Sequence, residues 1–167
     1  GVRGDGLEKI ASRWRNEWGC RGELRRKVPD ALLLAFGLND TARIGREDGR
    51  PQLSEEGFRY SLKALLTEIK KETELMMIGL TPVNEKSMPF ANCLWYSNDA
   101  CSRYERKIEE PCMELNIPFL ATYKKMIKDS TWKQYLESDG IHLNSKGHQW
   151  LFKQVIEWPY LSHWANS

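Results

Sequence analysis

Two apolar runs that end abruptly in polar residues constrain the fold of this chain more than any other feature. Residues 31–36 are followed by Gly37-Leu38-Asn39-Asp40, and residues 74–80 are followed by Thr81-Pro82. Each run has the length of a buried strand. Patterns typical of amphipathic helices lie before, between and after these runs, at residues 7–18, 54–72, 98–115 and 145–158. Such alternation predicts an α/β domain with a parallel sheet and helices on both faces.

Polar residues at the carboxyl end of the first predicted strand are the first candidates for a functional site. Ligands of open α/β sheets bind in the crevice beyond the carboxyl ends of the strands. Asn39 and Asp40 are therefore expected at the ligand-binding edge. Residues 117–120 predict a third, short strand.

Two long connecting segments are expected beside that edge. Residues 41–53 are polar and predict a loop that can shape a pocket. Residues 83–97 predict an apolar loop, which is either a lid or pocket wall or merely a packed cover over the core. Asn98 or Asp99 is expected to cap the next helix, and Pro111 is expected to kink or break it.

A carboxylate and an imidazole stand three residues apart in Asp139-Gly140-Ile141-His142. In a turn before a helix, this spacing can bring both side chains to one side, and Gly140 allows the backbone to bend. Asp139 can then orient the ring, and His142 can transfer a proton. The alternative is a helix N-terminus with a solvated histidine. His148 is expected to be structural, near the start of the last helix.

Taken in this order, the Gly-x-Asn-Asp segment and the later Asp-Gly-Ile-His-Leu-Asn-x-x-Gly-His segment resemble the SGNH, or GDSL, family of serine esterases and lipases. The resemblance implies a flavodoxin-like three-layer α/β/α fold, with strand order 2-1-3-4-5. It also implies hydrolysis of esters or thioesters through an acyl-enzyme, with no metal or cofactor. His142 would be the base and Asp139 would orient it. Asn39 and the backbone N–H of Gly4 would hold the oxyanion, and Asp40 would fix the loop that aims Asn39 or simply cap a turn.

One departure from the family pattern concerns the nucleophile. The family places it in a Gly-Asp-Ser block after the first strand, and no serine here has that context. In one interpretation, Gly4 is the glycine of the family's second block, whose backbone N–H donates to the oxyanion. In the other, Gly4-Asp5-Gly6-Leu7 is the nucleophile block with Gly6 in place of serine. We favour the first interpretation, because no strand precedes Gly1. Residues 1–167 are then a single SGNH-hydrolase-like domain that is incomplete at its N-terminus and lacks a central strand.

Other functions remain open at this point. A carbohydrate O-deacetylase would use the same residues, and a pseudoenzyme or binding module follows if Gly6 replaces the serine. A phosphate- or nucleotide-binding flavodoxin-like domain fits the predicted sheet, but it leaves Asn39, Asp139 and His142 unexplained together.

Composition narrows the function class further. The 167 residues suffice for one domain with a real core, and no stretch reaches transmembrane length. Basic residues at 21–27 are mixed with acidic ones and lack interleaved aromatics, so nucleic-acid binding is not expected. The expected partner is a small-molecule ester, and the oligomeric state stays open.

The four cysteines lack zinc spacing and favour reduced thiols and a cytoplasmic location, although a Cys101–Cys112 or Cys93–Cys101 bridge is possible.

Overall fold

The computed structural model describes residues 4–19 and 30–166. Predictions that concern Gly1, Cys20 and the basic cluster at 21–27 lie outside these ranges. The described elements alternate between strands and helices as expected. In chain order they are α1 (Leu7–Gly19), β1 (Ala31–Ala35), β2 (Arg43–Ile44), α2 (Glu55–Ile69), β3 (Glu74–Ile78), β4 (Leu94–Trp95), α3 (Asn98–Glu114), β5 (Phe119–Leu120), α4 (Thr122–Met126), α5 (Ser145–Ile156) and α6 (Pro159–Ala165).

The main sheet is parallel and has the strand order β1-β3-β5. Ala31 pairs with Glu74 and Ala35 with Ile78, while Met77 and Ile78 pair with β5. Helices flank this sheet, which confirms the predicted three-layer α/β/α class. All three strands run the same way, so their carboxyl ends meet at one edge, where Asn39 follows β1.

Helices α2 and α3 cover the sheet with the faces that the sequence predicts. Ser54 caps α2 by accepting a hydrogen bond from the backbone N–H of Gly57. The buried side chains of α2 recur at helical spacing: Phe58, Leu62, Leu65, Leu66 and Ile69. The Phe58 ring packs against Tyr104 of α3 at a centroid distance of 5.2 Å. This contact joins the two helices over the core.

The expected cap of α3 is wrong, and of the two outcomes expected at Pro111 a break does not occur. Ser97, rather than Asn98 or Asp99, caps the helix by accepting from the backbone N–H of Ala100. The helix also continues through Pro111 to Glu114 without a break. Pro111 lies in the last turns, so its missing N–H removes one intrahelical hydrogen bond and leaves the first three turns intact. Pro111 is buried in this position.

The two connecting segments are more ordered than expected. Strands β2 and β4 form a separate antiparallel pair in which Arg43 faces Trp95 and Ile44 faces Leu94. The segments 41–53 and 83–97 are therefore joined by a small sheet rather than being independent loops. Strands of two residues carry too little periodicity to be recognised from sequence. The pair holds the second segment beside the residues that follow β1.

Strand β1 has an open side. Within residues 4–19 and 30–166, β3 is its only hydrogen-bonded neighbour. A groove of about 440 Å³ lies between its free side and α1, and Trp14 and Trp18 line it from the helix. Leu33 in the middle of the strand is 38% exposed. We call the groove between β1 and α1 the edge groove. An unpaired apolar strand edge of this kind is a site for pairing with another strand.

The C-terminal part contains two helices. Asn144 caps α5 as expected, by accepting from the backbone N–H of Gly147. Four apolar residues of the predicted amphipathic segment 145–158 are half-buried: Trp150, Leu151, Val155 and Trp158. Pro159 starts α6 at a position where a missing N–H is tolerated. No helix in the described part of the chain is both long and apolar enough to cross a bilayer.

Candidate active site

Asp139 and His142 form the hydrogen-bonded pair that their spacing predicts. Oδ2 of Asp139 lies 2.6 Å from Nδ1 of His142, and Oδ1 accepts from the backbone N–H groups of Ile141 and His142 at 2.9 and 3.0 Å. Burial acts to raise the pKa of the Asp139 carboxyl, but these hydrogen bonds outweigh it and hold the pKa below its usual value. An ionised Asp139 accepts the proton of Nδ1, which leaves Nε2 of His142 with a free lone pair.

The loop that carries the pair is held on both sides. Gly140 has φ +76°, and a Cβ there would meet Cβ of Ser87 at 2.7 Å, so only glycine fits the bend. The backbone N–H of Glu137 donates to the carbonyl of His142 at 2.8 Å. The side-chain amide of Asn144 donates to the carbonyls of Gln134 and Leu136. These bonds fix the backbone on either side of the imidazole.

Asn39 begins a short 3-10 turn directly after the first strand. Its Nδ2 donates to the backbone carbonyl of Asp5 at 2.9 Å, and its Oδ1 lies 3.2 Å from the hydroxyl of Tyr96. The amide is thus fixed between the segment before α1 and the end of β4. An amide nitrogen has two N–H groups, so one remains for a ligand.

The side chain of Asp40 caps the N-terminus of α1. Only 4% of Asp40 is exposed, and its Oδ1 and Oδ2 accept from the backbone N–H of Leu7, the first residue of α1, at 3.0 and 3.1 Å. Burial, the largest effect, raises the pKa of this carboxyl to about 6, although the bond from Leu7 acts to lower it. Asp40 therefore does more than cap its own turn. Because it follows Asn39 directly in the chain, its bonds to Leu7 connect the start of α1 to the turn that carries Asn39.

Gly4 and Gly6 differ in the space around them. Gly4 has φ +74°, nothing lies within 4 Å of its Cβ position, and it lines the same cavity as Asn39 and His142. A Cβ on Gly6 would lie 2.7 Å from Oδ1 of Asp40, whose carboxylate is already held by Leu7. A serine at position 6 would therefore displace the buried carboxylate. This geometry favours the interpretation in which Gly4 belongs to the second block of the motif.

Three of the four residues singled out from sequence line one cavity of about 320 Å³, which we call the cleft. Gly4, Asn39 and His142 contribute to its wall, and Asp139 stands behind the imidazole. The other lining residues are Gln52, Phe90, Leu94, Tyr96 and Ile141. Most of these other residues are apolar, so the cleft combines a few polar groups with an apolar surface suited to a hydrocarbon group.

Sequence reasoning missed Phe90 and Tyr96 as individual residues of this site. The ring of Phe90 stands edge-on to His142 at 5.8 Å and to Tyr96 at 6.4 Å. The segment 83–97, which the sequence left as a lid, a pocket wall or a core cover, therefore supplies part of the cleft wall. Its apolar composition was the available signal, but the particular side chains depend on the pairing of β4 with β2.

No serine, threonine or cysteine is among the described residues that line the cleft. An adjoining cavity of about 380 Å³ contains Thr81 and His148 together with His142. It shares Ala35 and Phe36 of the first strand's end with the edge groove. The adjoining cavity also shares Asn39 and His142 with the cleft, so it lies between the edge groove and the cleft.

Side chains that could bind a metal are not clustered anywhere in the described ranges. Cys93, Cys101 and Cys112 are free thiols, and Cys20 lies outside those ranges. Burial raises the pKa of both Cys101 and Cys112 to about 12, so these two thiols are poor nucleophiles.

Comparison with known proteins identifies one family. The sequence matches the GDSL-like Lipase/Acylhydrolase family over residues 1–150. A GDSL esterase/lipase of Arabidopsis thaliana is 27% identical over 141 residues, which cover 76% of this chain and 58% of that protein. The human isoamyl acetate-hydrolyzing esterase 1 homolog is 24% identical over 150 residues, or 84% of this chain and 58% of that protein. The chain thus spans less than two thirds of the length of these relatives.

Solved structures share the fold. A lipase/acylhydrolase from Enterococcus faecalis superposes with a TM-score of 0.71 at 22% identity, over 92% of this chain and 69% of its own. A GDSL-like lipase from Bacteroides thetaiotaomicron gives a TM-score of 0.65 at 21% identity, over 94% and 73% of the two chains. At these identities, the similarity establishes the architecture and leaves chemistry to the site itself.

Proposed function

This chain belongs to the GDSL-like lipase/acylhydrolase family, and we propose that the protein hydrolyses carboxylic esters or thioesters through an acyl-enzyme. The observation that carries the proposal is the 2.6 Å contact between Asp139 and His142, in a cleft that Asn39 and Gly4 also line. A base with its orienting carboxylate and two candidate oxyanion donors are the groups that acyl transfer requires.

In this mechanism His142 moves the protons. With Nδ1 bonded to Asp139, Nε2 takes the proton of a nucleophilic hydroxyl as its oxygen attacks the ester carbonyl carbon. The carbonyl electron pair moves to oxygen and forms a tetrahedral oxyanion. When that pair returns, the bond to the leaving alcohol breaks, and His142 gives its proton to the alcohol. A water molecule then repeats the sequence on the acyl-enzyme and releases the acid.

Asn39 and Gly4 would stabilise the oxyanion. The free N–H of the Asn39 amide and the backbone N–H of Gly4 are the donors of the cleft that the proposal assigns to this role. A preorganised donor of this type lowers the barrier by about 3 kcal/mol in a site shielded from water. The turn at Gly4, with φ +74°, is one that side chains rarely tolerate, which accounts for the glycine.

The nucleophile in our proposal is a serine carried by a segment of the protein that precedes Gly1. Three observations support it: the cleft lacks a nucleophilic hydroxyl among its described residues, the edge groove offers β1 for pairing, and the groove shares Ala35 and Phe36 with the cavity that His142 lines. A strand in the groove would carry a residue at its carboxyl end to the imidazole. Thr81 is the competing hydroxyl, since it lines the adjoining cavity.

The apolar wall of the cleft suits a small ester. Phe90, Leu94 and Ile141 stand beside the proposed oxyanion site, where an acyl or alcohol group of a few carbons can pack. The human relative's name refers to isoamyl acetate, an ester of this size. We therefore propose short-chain esters as the first substrates to test.

The test is steady-state hydrolysis of isoamyl acetate, a short-chain aryl ester and an acetylated sugar by the full-length protein. A fluorophosphonate probe followed by peptide mass spectrometry identifies the nucleophile in the same preparation. We expect turnover of the small esters, labelling of a serine before Gly1, and loss of both in His142→Ala. Thr81→Val should retain turnover. Labelling of Thr81 would overturn the assignment of the nucleophile, and absence of turnover on all three substrates would favour a pseudoenzyme.

A further inference from the structure

The orientation of the Asn39 side-chain amide is determined by its hydrogen-bonding partners on both sides, the carbonyl of Asp5 and the hydroxyl of Tyr96. Asp5 offers it a backbone carbonyl, which can only accept a hydrogen bond, so the atom facing it at 2.9 Å must be the nitrogen. The oxygen then faces the Tyr96 hydroxyl at 3.2 Å, and that hydroxyl must be the donor. Reversing the amide would place two acceptors against each other at Asp5, so only one orientation satisfies both contacts.

Tyr96 is well placed to hold this orientation. It is 3% exposed and follows β4 directly, and β4 pairs with β2 only a few residues after Asn39. Its backbone N–H points to the sulfur of Met88 at 3.4 Å, and Phe90 packs on its ring. The small sheet thus fixes the Tyr96 ring relative to the turn that carries the amide.

The Tyr96 hydroxyl keeps its proton at working pH. Burial, the largest effect, raises its pKa to about 12. A hydroxyl that donates its one proton to Asn39 has none to offer a substrate. Tyr96 is therefore unsuited to be an acid or base in the reaction, although it lines the cleft.

We propose that Tyr96 is a positioning residue whose hydroxyl holds the Asn39 amide so that a single N–H points to the oxyanion. The inference rests on the proposed hydrolase function and adds a residue to it. Without the hydroxyl, Oδ1 loses its partner and the amide can rotate away from the reacting carbonyl. Oxyanion donors act only when they are preorganised, so the loss should appear in kcat rather than in KM.

The variant Tyr96→Phe removes the hydroxyl and keeps the ring that packs against Phe90. We expect kcat for a short-chain ester to fall about tenfold with KM within about twofold, a smaller loss than the hundredfold or more expected when the donor itself is deleted. Tyr123→Phe is the matched control, because it also removes a hydroxyl hydrogen bond from a buried tyrosine, here to the carbonyl of Asn98 at 2.9 Å. It should lower the melting temperature and leave kcat unchanged.

A double-mutant cycle separates positioning from general damage. In the Asn39→Ala background, Tyr96→Phe should change kcat by less than about twofold, because its effect passes through the deleted amide. An equal loss in both backgrounds would overturn the proposal, as would an unchanged kcat in the single variant.

A second readout is independent of catalysis. The side-chain amide signals of Asn39 in a ¹H–¹⁵N spectrum should shift in Tyr96→Phe and stay in place in Tyr123→Phe. If the protein hydrolyses no ester, the proposed function fails, and these signals still decide whether Tyr96 holds the amide. Unmoved signals would refute the positioning role by themselves.

Discussion

Replacing Asp40 by asparagine should change how the stability of the protein depends on pH. The carboxylate is almost fully buried and receives hydrogen bonds from the backbone N–H of Leu7. The variant Asp40→Asn keeps the shape and one acceptor oxygen for that N–H, but it cannot ionise. The difference between the two proteins therefore isolates the cost of holding a charge at this position.

The size of the effect follows from the pKa. Burial raises the pKa of Asp40 from 3.8 to about 6, so between these values the folded protein binds more protons than the unfolded chain. Stability from this group is then fully present below pH 3.8 and is lost as the pH rises through 6. The loss amounts to about 3 kcal/mol. Among the nearby groups, Glu8 acts in the same direction, and the hydroxyls of Tyr96 and Tyr104, with pKa values of about 12, stay neutral in this range.

The assay is urea unfolding of the full-length protein and of Asp40→Asn at several pH values from 4 to 8, followed by tryptophan fluorescence. The free energy of unfolding of the variant, minus that of the unmodified protein, should rise by about 3 kcal/mol across this range. Asp48→Asn is the matched control, because it makes the same exchange of carboxylate for amide at an exposed position, where Asp48 forms a surface ion pair with Arg46. A flat curve for Asp40→Asn, or one of opposite slope, would refute the reasoning.

Four further outcomes are expected. Residues 1–167 expressed alone should be prone to aggregation, because no strand in the described part of the chain pairs with the free side of β1; cooperative thermal unfolding of a soluble monomer would contradict this. In the full-length protein, Asn39→Ala should lower kcat by about a hundredfold or more with little change in KM, whereas a loss of stability with intact kcat would indicate a turn residue. His142→Ala should abolish nearly all turnover, and Asp139→Asn should add little to it because the two act as one unit. His148→Ala should keep most activity, and the assignment is wrong if it is the inactive variant instead.

Local sequence was sufficient for the elements whose signals are contained in a few consecutive residues. The apolar runs at β1 and β3, the helical spacing of the buried side chains of α2, and the Asn144 cap of α5 all lie within single segments. The hydrogen bond between Asp139 and His142 also spans only three residues, so its geometry is largely a property of one turn. These features depend on neighbours in sequence, and one chain is enough to recognise them.

Contacts between distant segments were beyond sequence reasoning. The strand pair β2–β4 has two residues on each side, too few to show alternation, and it brings Tyr96 to an amide 57 residues earlier in the chain. The bond from Leu7 to Asp40 likewise joins residues 33 positions apart. Pro111 does not break α3, and it is buried in the last turns of that helix.

The sequence by itself therefore determined the α/β class and the pairing of Asp139 with His142, because periodicity and short spacing express them locally. Only the tertiary structure decided which side chains line the cleft beside that pair, how the Asn39 amide is oriented, and why position 6 has no room for a side chain. Those properties arise from packing and from hydrogen bonds between segments that are far apart in the chain, and such contacts leave no mark in the pattern of neighbouring residues.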